Sequence, residues 1–183
     1  MSGKIVACLD GSKFSEKAVR YALNEASKTN SKIILFNVLV KNIDYLQVPP
    51  SGPIVNIPAP LILKEFTERR NNISLYLQQA AENLTNYGFE VETEIREGIR
   101  ADIPDIIVSY AEENQVDLIV MATHNRRGIK KLFWGSITDS VARKSSIPIL
   151  PVKPGRNMLP NKTIQIANPD NSETTMELEF SSD

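Results

Sequence analysis

The stretch DLIVMATHNRRGIKKLFWGS, residues 117–136, joins an apolar run to the start of a helix through a connection with four basic side chains. Residues 117–122 are apolar after the first position, which is typical of a strand buried on both faces of a parallel sheet. The basic connection that follows can offer charge-assisted hydrogen bonds to an anion. What it binds depends on its place in the sheet.

Four more runs rich in apolar and β-branched residues lie at residues 5–9, 32–40, 89–95 and 147–152. Stretches with helical periodicity lie between most of the runs, at about residues 14–28, 61–86 and 103–111, and a fourth begins at residue 136. Strands that alternate with helices predict an α/β protein with a parallel sheet. We therefore expect five strands with helices on both faces, in three layers.

The character of each run predicts its position in the sheet. Residues 89–95 alternate glutamates with Val91, Thr93 and Ile95, as a half-exposed edge strand does. Pro148 and Pro151 each lack a backbone N–H, which places the last run at the other edge. Together with right-handed crossovers, these positions give an open five-stranded sheet of order 3-2-1-4-5.

Residue types at the helix ends predict where three of the helices begin. Ser12 is the expected N-cap of the first helix, and Pro104 suits the first turn of the third. Ser136 and Asp139 have the spacing of a capping box at the start of the fourth.

Two segments stand outside the alternation. Residues 42–60 hold five prolines, which predicts a long surface loop. After residue 153, two alternating segments, 163–167 and 176–180, flank a turn-rich stretch, which leaves two alternatives open: a hairpin or a disordered tail. We expect one domain over residues 1–153 and a C-terminal tail over residues 154–183.

Composition narrows the class of protein. The 183 residues are 42% hydrophobic, enough for one substantial core, and the net charge of −1 gives no overall basic field for nucleic acid or a membrane surface. The single cysteine, Cys8, rules out an intramolecular disulfide and a cysteine-based zinc site. The sequence shows neither a signal peptide nor an apolar stretch long enough to cross a membrane, so we expect a soluble, cytoplasmic protein.

In an open sheet of this order, the point where the strand order reverses lies between strands one and four, and ligands bind there beyond the carboxyl ends. Asp10 and Gly11 follow strand one, and the 123–135 loop follows strand four. Asp10 can accept a hydrogen bond from a sugar hydroxyl, while Gly11 permits a tight turn. Gly135 and Ser136 open a helix whose free N–H groups favour an anion. A phosphate site beside a sugar site predicts a nucleotide.

These residues carry a family resemblance. Asp10, the run VDLIVMATH (116–124), Gly128, the pair Gly135-Ser136 and the closing IPILPV (147–152) resemble the universal stress protein family over about residues 3–153. The resemblance implies an adenine nucleotide α-hydrolase-like, Rossmann-like fold. Nucleotide-binding members of the family carry G-x2-G-x9-G-[S/T] after strand four; the same positions here are Ala122, Asn125, Gly135 and Ser136, with the spacing kept.

The resemblance also implies a function. It suggests a regulatory module of the stress response that binds ATP or AMP, with or without Mg, and a homodimer that pairs through the last strand. Because Pro151 removes a ladder donor in that strand, we expect a homodimer in which the C-terminal tail covers or exchanges across the edge. Asp10 and the backbone near Val38 would contact ribose and adenine, and the loop with Ser136 would hold the phosphates. We also expect an unidentified protein partner. The implied nucleotide-binding residues are Asp10, Gly11, Val38, Ala122, Thr123, His124, Asn125, Arg127, Gly128, Gly135, Ser136 and Ile137.

Two departures from the family motif support an alternative. Ala122 adds only a methyl group, and Asn125 tolerates the left-handed conformation, but its side chain can either donate to a phosphate or block it. Charge-assisted bonds from the basic side chains of the loop can replace lost phosphate contacts; these are Arg126, Arg127, Lys130 and Lys131. The alternative is a non-nucleotide-binding, dimeric interaction protein of the same fold.

Catalytic and metal-binding motifs are missing from the sequence. His124 is the only histidine, and no cysteine or carboxylate cluster surrounds it in sequence, so we expect no metal site. Neither GxxxxGK[ST] nor GxGxxG occurs, and no nucleophile elbow is present. Asp10 also has a purely structural alternative, as a cap for the helix that follows it. We expect a binding protein rather than an enzyme, with slow ATP hydrolysis left open.

Overall fold

The computed structural model describes residues 2–13, 15–41, 58–123, 136–153, 161–167 and 173–178. Its strands are β1 (Lys4–Cys8), β2 (Lys32–Val40), β3 (Val91–Gly98), β4 (Leu118–Ala122), β5 (Ile149–Val152), β6 (Asn161–Ala167) and β7 (Glu173–Leu178). Its helices are α1 (Glu16–Thr29), α2 (Ala59–Asn86), α3 (Ile103–Glu113) and α4 (Ser136–Lys144).

The first five strands form one parallel sheet of order β3-β2-β1-β4-β5, which confirms the predicted order. β1 lies at the centre, paired with β2 from Lys4 to Cys8 and with β4 from Ile5 to Cys8. The two edges are β3 and β5, as the alternating glutamates and the prolines predicted. Pro151 lies opposite Met121 at the edge of the sheet.

Two hydrophobic clusters, one on each face of the sheet, give the three-layer architecture. On one face, α1 and α2 pack against alternate residues of β1, β2 and β4, including Ala7, Leu35 and Val120. On the opposite face, α3 and α4 pack against the remaining residues of the same strands, such as Val6 and Phe36. Successive strand residues point to opposite faces, so an apolar run supplies both clusters.

Helix α2 is buried along only one half of its length. All of its buried residues, Tyr76, Leu77, Ala80 and Leu84, lie in the second half. In the first half, Leu61 and Leu63 are 57% and 66% exposed. Because α2 connects two parallel strands, it runs back across the sheet, and its exposed half begins at the carboxyl edge.

The helix ends partly differ from the prediction. Pro104 lies in the first turn of α3, as expected. Ser12 is not the N-cap of α1, because that helix begins at Glu16 and its N-cap is Ser15. The Ser12 hydroxyl instead accepts a hydrogen bond from the Ser15 N–H at 3.1 Å, within the loop. The predicted capping box of Ser136 depends on a side chain outside the described residues.

The proline-rich segment was predicted as a loop over residues 42–60. Helix α2 takes in the last two of these residues, with Pro60 in its first turn, where a missing N–H costs no helical hydrogen bond. Residues 42–57 lie outside the described part of the chain.

Strands β6 and β7 pair antiparallel and form a two-stranded sheet of their own. The sequence left a hairpin and a disordered tail as alternatives, and antiparallel pairing is the arrangement expected of the hairpin. β6 lies beside α2, which packs over β2 and β3, on the half of the sheet away from β5. Across the described residues, none of the helices is both long and apolar enough to cross a membrane.

Candidate functional site

The crevice at the carboxyl edge lies between β1 and β4. Cys8 pairs with Met121, so Asp10 and Thr123, two residues further along each chain, leave the sheet side by side. The chain after β1 passes into α1 on one face, and the chain after β4 passes into α4 on the opposite face. The two connections diverge at this point, which is the usual ligand position in such sheets.

Asp10 begins a hydrogen-bonded loop on the β1 side of the crevice. Its Oδ1 accepts from the Ser12 N–H at 2.9 Å and from the Ser12 hydroxyl at 2.6 Å. Its own N–H donates to the Ser15 hydroxyl at 3.2 Å. Between them, Gly11 has φ of 83°, a left-handed conformation that favours glycine. The loop is therefore a tight, internally bonded turn that holds an exposed carboxylate at the edge of the sheet.

Val38 and Ile137 pack on the same face of the sheet. Both are partly buried against the cluster formed with α3 and α4. Val38 is near the carboxyl end of β2, and Ile137 is the second residue of α4. The structure thus brings these two sequence-predicted residues to the α4 side of the crevice.

Ala122 and Thr123 end the β4 side of the crevice. Thr123 is buried, and both its N–H and its hydroxyl donate to the Val152 carbonyl, at 2.8 and 3.2 Å. These bonds extend the pairing of β4 with β5 by one residue. They also direct the Thr123 donors toward β5, so its hydroxyl can offer a ligand only acceptor capacity.

Five sequence-predicted site residues lie outside the described residues: His124, Asn125, Arg127, Gly128 and Gly135. Ser136 is described as the first residue of α4. Because α4 links the parallel strands β4 and β5, its N-terminus lies at the carboxyl edge, the same edge as Asp10. The N–H groups of its first turn and its dipole are suited to a phosphate there.

Sequence reasoning missed three buried polar side chains near the Asp10 loop, namely Glu16, Asn37 and Tyr76. Glu16 is 1% exposed, Tyr76 2% and Asn37 4%. The Tyr76 hydroxyl donates to Glu16 Oε1 at 3.4 Å, and Asn37 Nδ2 donates to the Leu9 carbonyl at 2.7 Å. A signal was present, because Glu16 shares the apolar stripe of α1 with Val19 and Asn37 interrupts an apolar strand.

Burial raises the pKa of three side chains in this region, Glu16, Tyr76 and Cys8. Loss of water around the carboxyl raises the pKa of Glu16 from 4.5 to about 7, against the opposing effects of the Tyr76 hydrogen bond and the nearby Lys13 charge. Burial and the Glu16 charge also raise the pKa of the Tyr76 phenol, so it stays protonated. Burial raises the pKa of the Cys8 thiol to about 12, which leaves that thiol without nucleophilic character at neutral pH.

No group of three or more histidine, cysteine or carboxylate side chains is placed to hold a metal ion, as far as the described ranges extend. Among the described residues, the crevice offers a carboxylate on the β1 side and a helix N-terminus on the β4 side.

Similarity to known proteins identifies the family of this chain. The profile of the universal stress protein family matches residues 1–153. The chain belongs to this family. Among its relatives, the universal stress protein MJ0531 of Methanocaldococcus jannaschii is 29% identical over 154 residues, which cover 82% of this chain and 81% of the relative.

Solved structures of universal stress proteins share the fold. The structure of MJ0577, a protein from Methanocaldococcus jannaschii, covers 86% of this chain and 99% of its own, with a TM-score of 0.65 and 24% identity. A universal stress protein in complex with cAMP covers 82% of this chain and 95% of its own, with a TM-score of 0.50 and 24% identity. One from Archaeoglobus fulgidus in complex with dAMP covers 84% and 98%, with a TM-score of 0.50 and 21% identity.

Proposed function

We propose that this universal stress protein is a regulatory module of the stress response that binds ATP or AMP, with or without Mg, in the crevice between β1 and β4. The observation that carries the proposal is the pairing of β1 with β4, which brings the Asp10 turn and the start of α4 to one edge. A sugar-binding carboxylate and a phosphate-binding helix terminus then face a common opening.

Each group in the crevice has a role that fits a nucleotide. Asp10 is exposed at the edge of the crevice, and its carboxylate can accept a hydrogen bond from a ribose hydroxyl as well as from Ser12. Gly11 lets the backbone turn closely beneath the ligand. Val38 offers backbone groups and an apolar side chain to an adenine ring, and Ile137 supports the first turn of α4.

The segment after β4 supplies the rest of the proposed site. Ala122 and Thr123 lead into it, and His124, Asn125, Arg127, Gly128, Gly135 and Ser136 would surround the phosphates. Universal stress proteins of the same fold in complex with cAMP and dAMP support the choice of an adenine nucleotide. Because the sequence has neither GxxxxGK[ST] nor a nucleophile elbow, we propose binding rather than catalysis.

Titration calorimetry of the purified chain with ATP, AMP and GTP, each with and without Mg, tests the proposal. We expect adenine nucleotides to bind, and Asp10→Ala to weaken that binding by about tenfold, because one charged hydrogen bond is lost. Asp10→Asn is the matched control for the loop, since its Oδ1 can still accept from Ser12. The proposal fails if no nucleotide binds at millimolar concentration and mass spectrometry finds no nucleotide released on denaturation.

A second function, protein interaction without nucleotide, is favoured by one observation: two glycines of the family motif are Ala122 and Asn125 here. Under this alternative the Asn125 side chain occupies part of the phosphate site. The variant Asn125→Gly separates the two functions. Binding of ATP by the wild type supports the first function, and binding by the variant alone supports the second.

We also propose that residues 1–153 are the nucleotide-binding domain and that residues 154–183 are an appended tail. The chain would act as a homodimer, with an unidentified protein partner that responds to nucleotide. Both proposals rest on the family and on the separate two-stranded sheet of the tail.

A further inference from the structure

The loop that carries Asp10 is joined directly to the first turn of α1. The Ser15 hydroxyl accepts from the Asp10 N–H and donates to the Ser12 carbonyl at 2.8 Å. The Glu16 N–H donates to the same carbonyl at 3.4 Å. Any displacement of Glu16 is therefore transmitted through Ser15 to Asp10.

The Glu16 side chain attaches this loop to the rest of the molecule. Its Oε1 accepts from the Tyr76 hydroxyl of α2, sixty residues away in sequence. Glu16 is thus a side-chain contact between the start of α1 and the buried half of α2. Tyr76 in turn packs in the same cluster as Leu9, the residue before Asp10.

Among the described residues, no group donates a hydrogen bond to one of the two buried oxygens of the Glu16 carboxyl. Within the part of the chain that the structure describes, Glu16 Oε2 and Asn37 Oδ1 are the buried side-chain oxygens without a hydrogen-bond partner. Both lie on the face of the sheet covered by α1 and α2, near its carboxyl edge. Unpartnered buried acceptors are costly, and an unpartnered charged acceptor is more so. A proton on the Glu16 carboxyl removes the charge and supplies a donor.

Among the described residues, the groups that lower the pKa of Glu16 come from two elements. From the loop, Lys13 favours the ionised carboxylate; from α2, the Tyr76 hydroxyl does the same. Asp10 acts on Tyr76 rather than on Glu16. Residues that face α1 from the strands, such as Ala7, Val120 and Val152, are apolar. Desolvation is the largest effect on Glu16, and it favours the neutral form near pH 7.

We propose that Glu16 is a positioning residue whose protonated form holds the Asp10 loop in the nucleotide-binding conformation, so that nucleotide affinity falls when Glu16 ionises. The inference rests on the proposed function. An ionised Glu16 gains free energy by reaching water, which draws the first turn of α1 and Ser15 outward. Asp10 then moves from its place at the edge of the crevice. Glu16 touches no ligand in this mechanism.

Calorimetric titration with ATP at pH 6 and pH 8.5 tests the inference, with wild type, Glu16→Gln and the partly exposed control Glu25→Gln on the same helix. We expect wild type and Glu25→Gln to lose affinity at the higher pH by about fivefold or more, a usual size for coupling between two sites. Glu16→Gln, which stays neutral at this position, should bind ATP at pH 6 about as wild type does and should lose less affinity at pH 8.5 than wild type does. The phosphates of ATP also titrate in this range, but they do so equally with all three proteins, so the difference between Glu16→Gln and the other two proteins isolates Glu16.

Each outcome decides one question. An equal pH dependence in Glu16→Gln and wild type overturns the inference and leaves nucleotide binding intact. No binding by wild type at either pH overturns the proposed function, and the inference with it. If Glu16→Gln fails to fold, Tyr76→Phe serves instead, because it removes a hydroxyl that favours the ionised carboxylate and should move the loss of affinity to a higher pH than in wild type; an unmoved pH dependence would overturn the inference. Infrared absorption of a protonated carboxyl, lost in Glu16→Gln, reports the proton without any ligand.

Discussion

Gly11 shows how a single residue shapes the crevice. Its φ of 83° lies in a region where a side chain is strained, and it stands between Asp10 and Ser12, whose hydrogen bonds close the turn. A substitution at Gly11 should strain the backbone and also displace Asp10, the residue proposed to bind the ribose. Stability and binding should therefore respond jointly.

We predict that Gly11→Ala lowers the free energy of unfolding by about 1–2 kcal/mol, the cost of a left-handed conformation for a residue with a Cβ. It should also weaken ATP binding. The matched control is Gly88→Ala, since Gly88 has φ of 87°, has no neighbouring atoms where a Cβ would stand, and lies just after α2 at the other end of the sheet. Denaturant unfolding and calorimetry measure the two effects. Equal losses of affinity in both variants would contradict the local role of Gly11.

Glu16 makes a second prediction at the scale of one residue, concerning stability and pH. Its pKa is raised in the folded chain to about 7 from a usual 4.5, so the folded state binds the proton more tightly than the unfolded state. The stabilisation is complete below pH 4.5 and is lost as the pH rises to 7. Above pH 7 the contribution of Glu16 to the free energy of unfolding no longer changes with pH.

Relative to wild type, Glu16→Gln should therefore become more stable as the pH rises from 4.5 to 7, by on the order of 2–3 kcal/mol. The comparison between the two proteins cancels the titration of all other groups. Urea unfolding at several pH values measures it. A constant difference across this range would show that Glu16 titrates normally in the folded chain.

At the scale of elements, the helix α2 combines two different environments in 28 residues. Its second half packs Leu77, Ala80 and Leu84 into the core, whereas its first half leaves Leu61 and Leu63 exposed. The helix therefore depends on its second half for tertiary stabilisation.

We predict that Leu84→Ala lowers the free energy of unfolding by about 2–5 kcal/mol, because it opens a cavity beneath α2. Leu63→Ala removes the same atoms from an exposed position and should change stability by less than about 0.5 kcal/mol. Thermal and denaturant unfolding of the two variants compare them directly. A large loss in Leu63→Ala would show that a partner covers the first half of α2 in solution.

The elements also show what the sequence could predict. Residues 32–40 were predicted as a strand with the bounds that β2 has, because a continuous apolar run ends sharply at both sides. β3 was predicted at residues 89–95 but spans Val91–Gly98, because its pairing with β2 continues to Val40 and Gly98. That pairing joins residues more than fifty positions apart, which local patterns do not register.

Part of the geometry of the crevice was also predictable from the sequence. Strand order alone placed Asp10 beside the end of β4, since parallel strands share a carboxyl edge. The contact between Glu16 and Tyr76 was not predictable, because it depends on how α1 and α2 pack. The N-cap of α1 was misplaced at Ser12, because the loop uses that hydroxyl internally.

At the scale of the whole molecule, the tail is the part that the main sheet does not organise. β6 and β7 pair only with each other, and β6 lies beside α2. A two-stranded ribbon is marginally stable alone, so its stability depends on what it packs against. In the proposed homodimer the tail covers or exchanges across an edge of the sheet.

We predict that deleting residues 155–183 converts the homodimer to a monomer or raises its dissociation constant. Light scattering or analytical ultracentrifugation over a range of concentrations measures this. The sheet and its two hydrophobic clusters lie before the deletion, so circular dichroism should keep its helical signal. A dimer of unchanged strength after deletion would remove the tail from the interface.

The central position of β1 has a kinetic consequence for the backbone amides. Each neighbour of β1 is itself covered by a further strand, so exposing the β1 amides to deuterium requires the opening of the entire sheet. Amides of β3 and β5 can instead be released by fraying at the borders. Deuterium uptake should therefore rise stepwise from the middle strand outward, and the slowest-exchanging amides of the chain should directly precede Asp10.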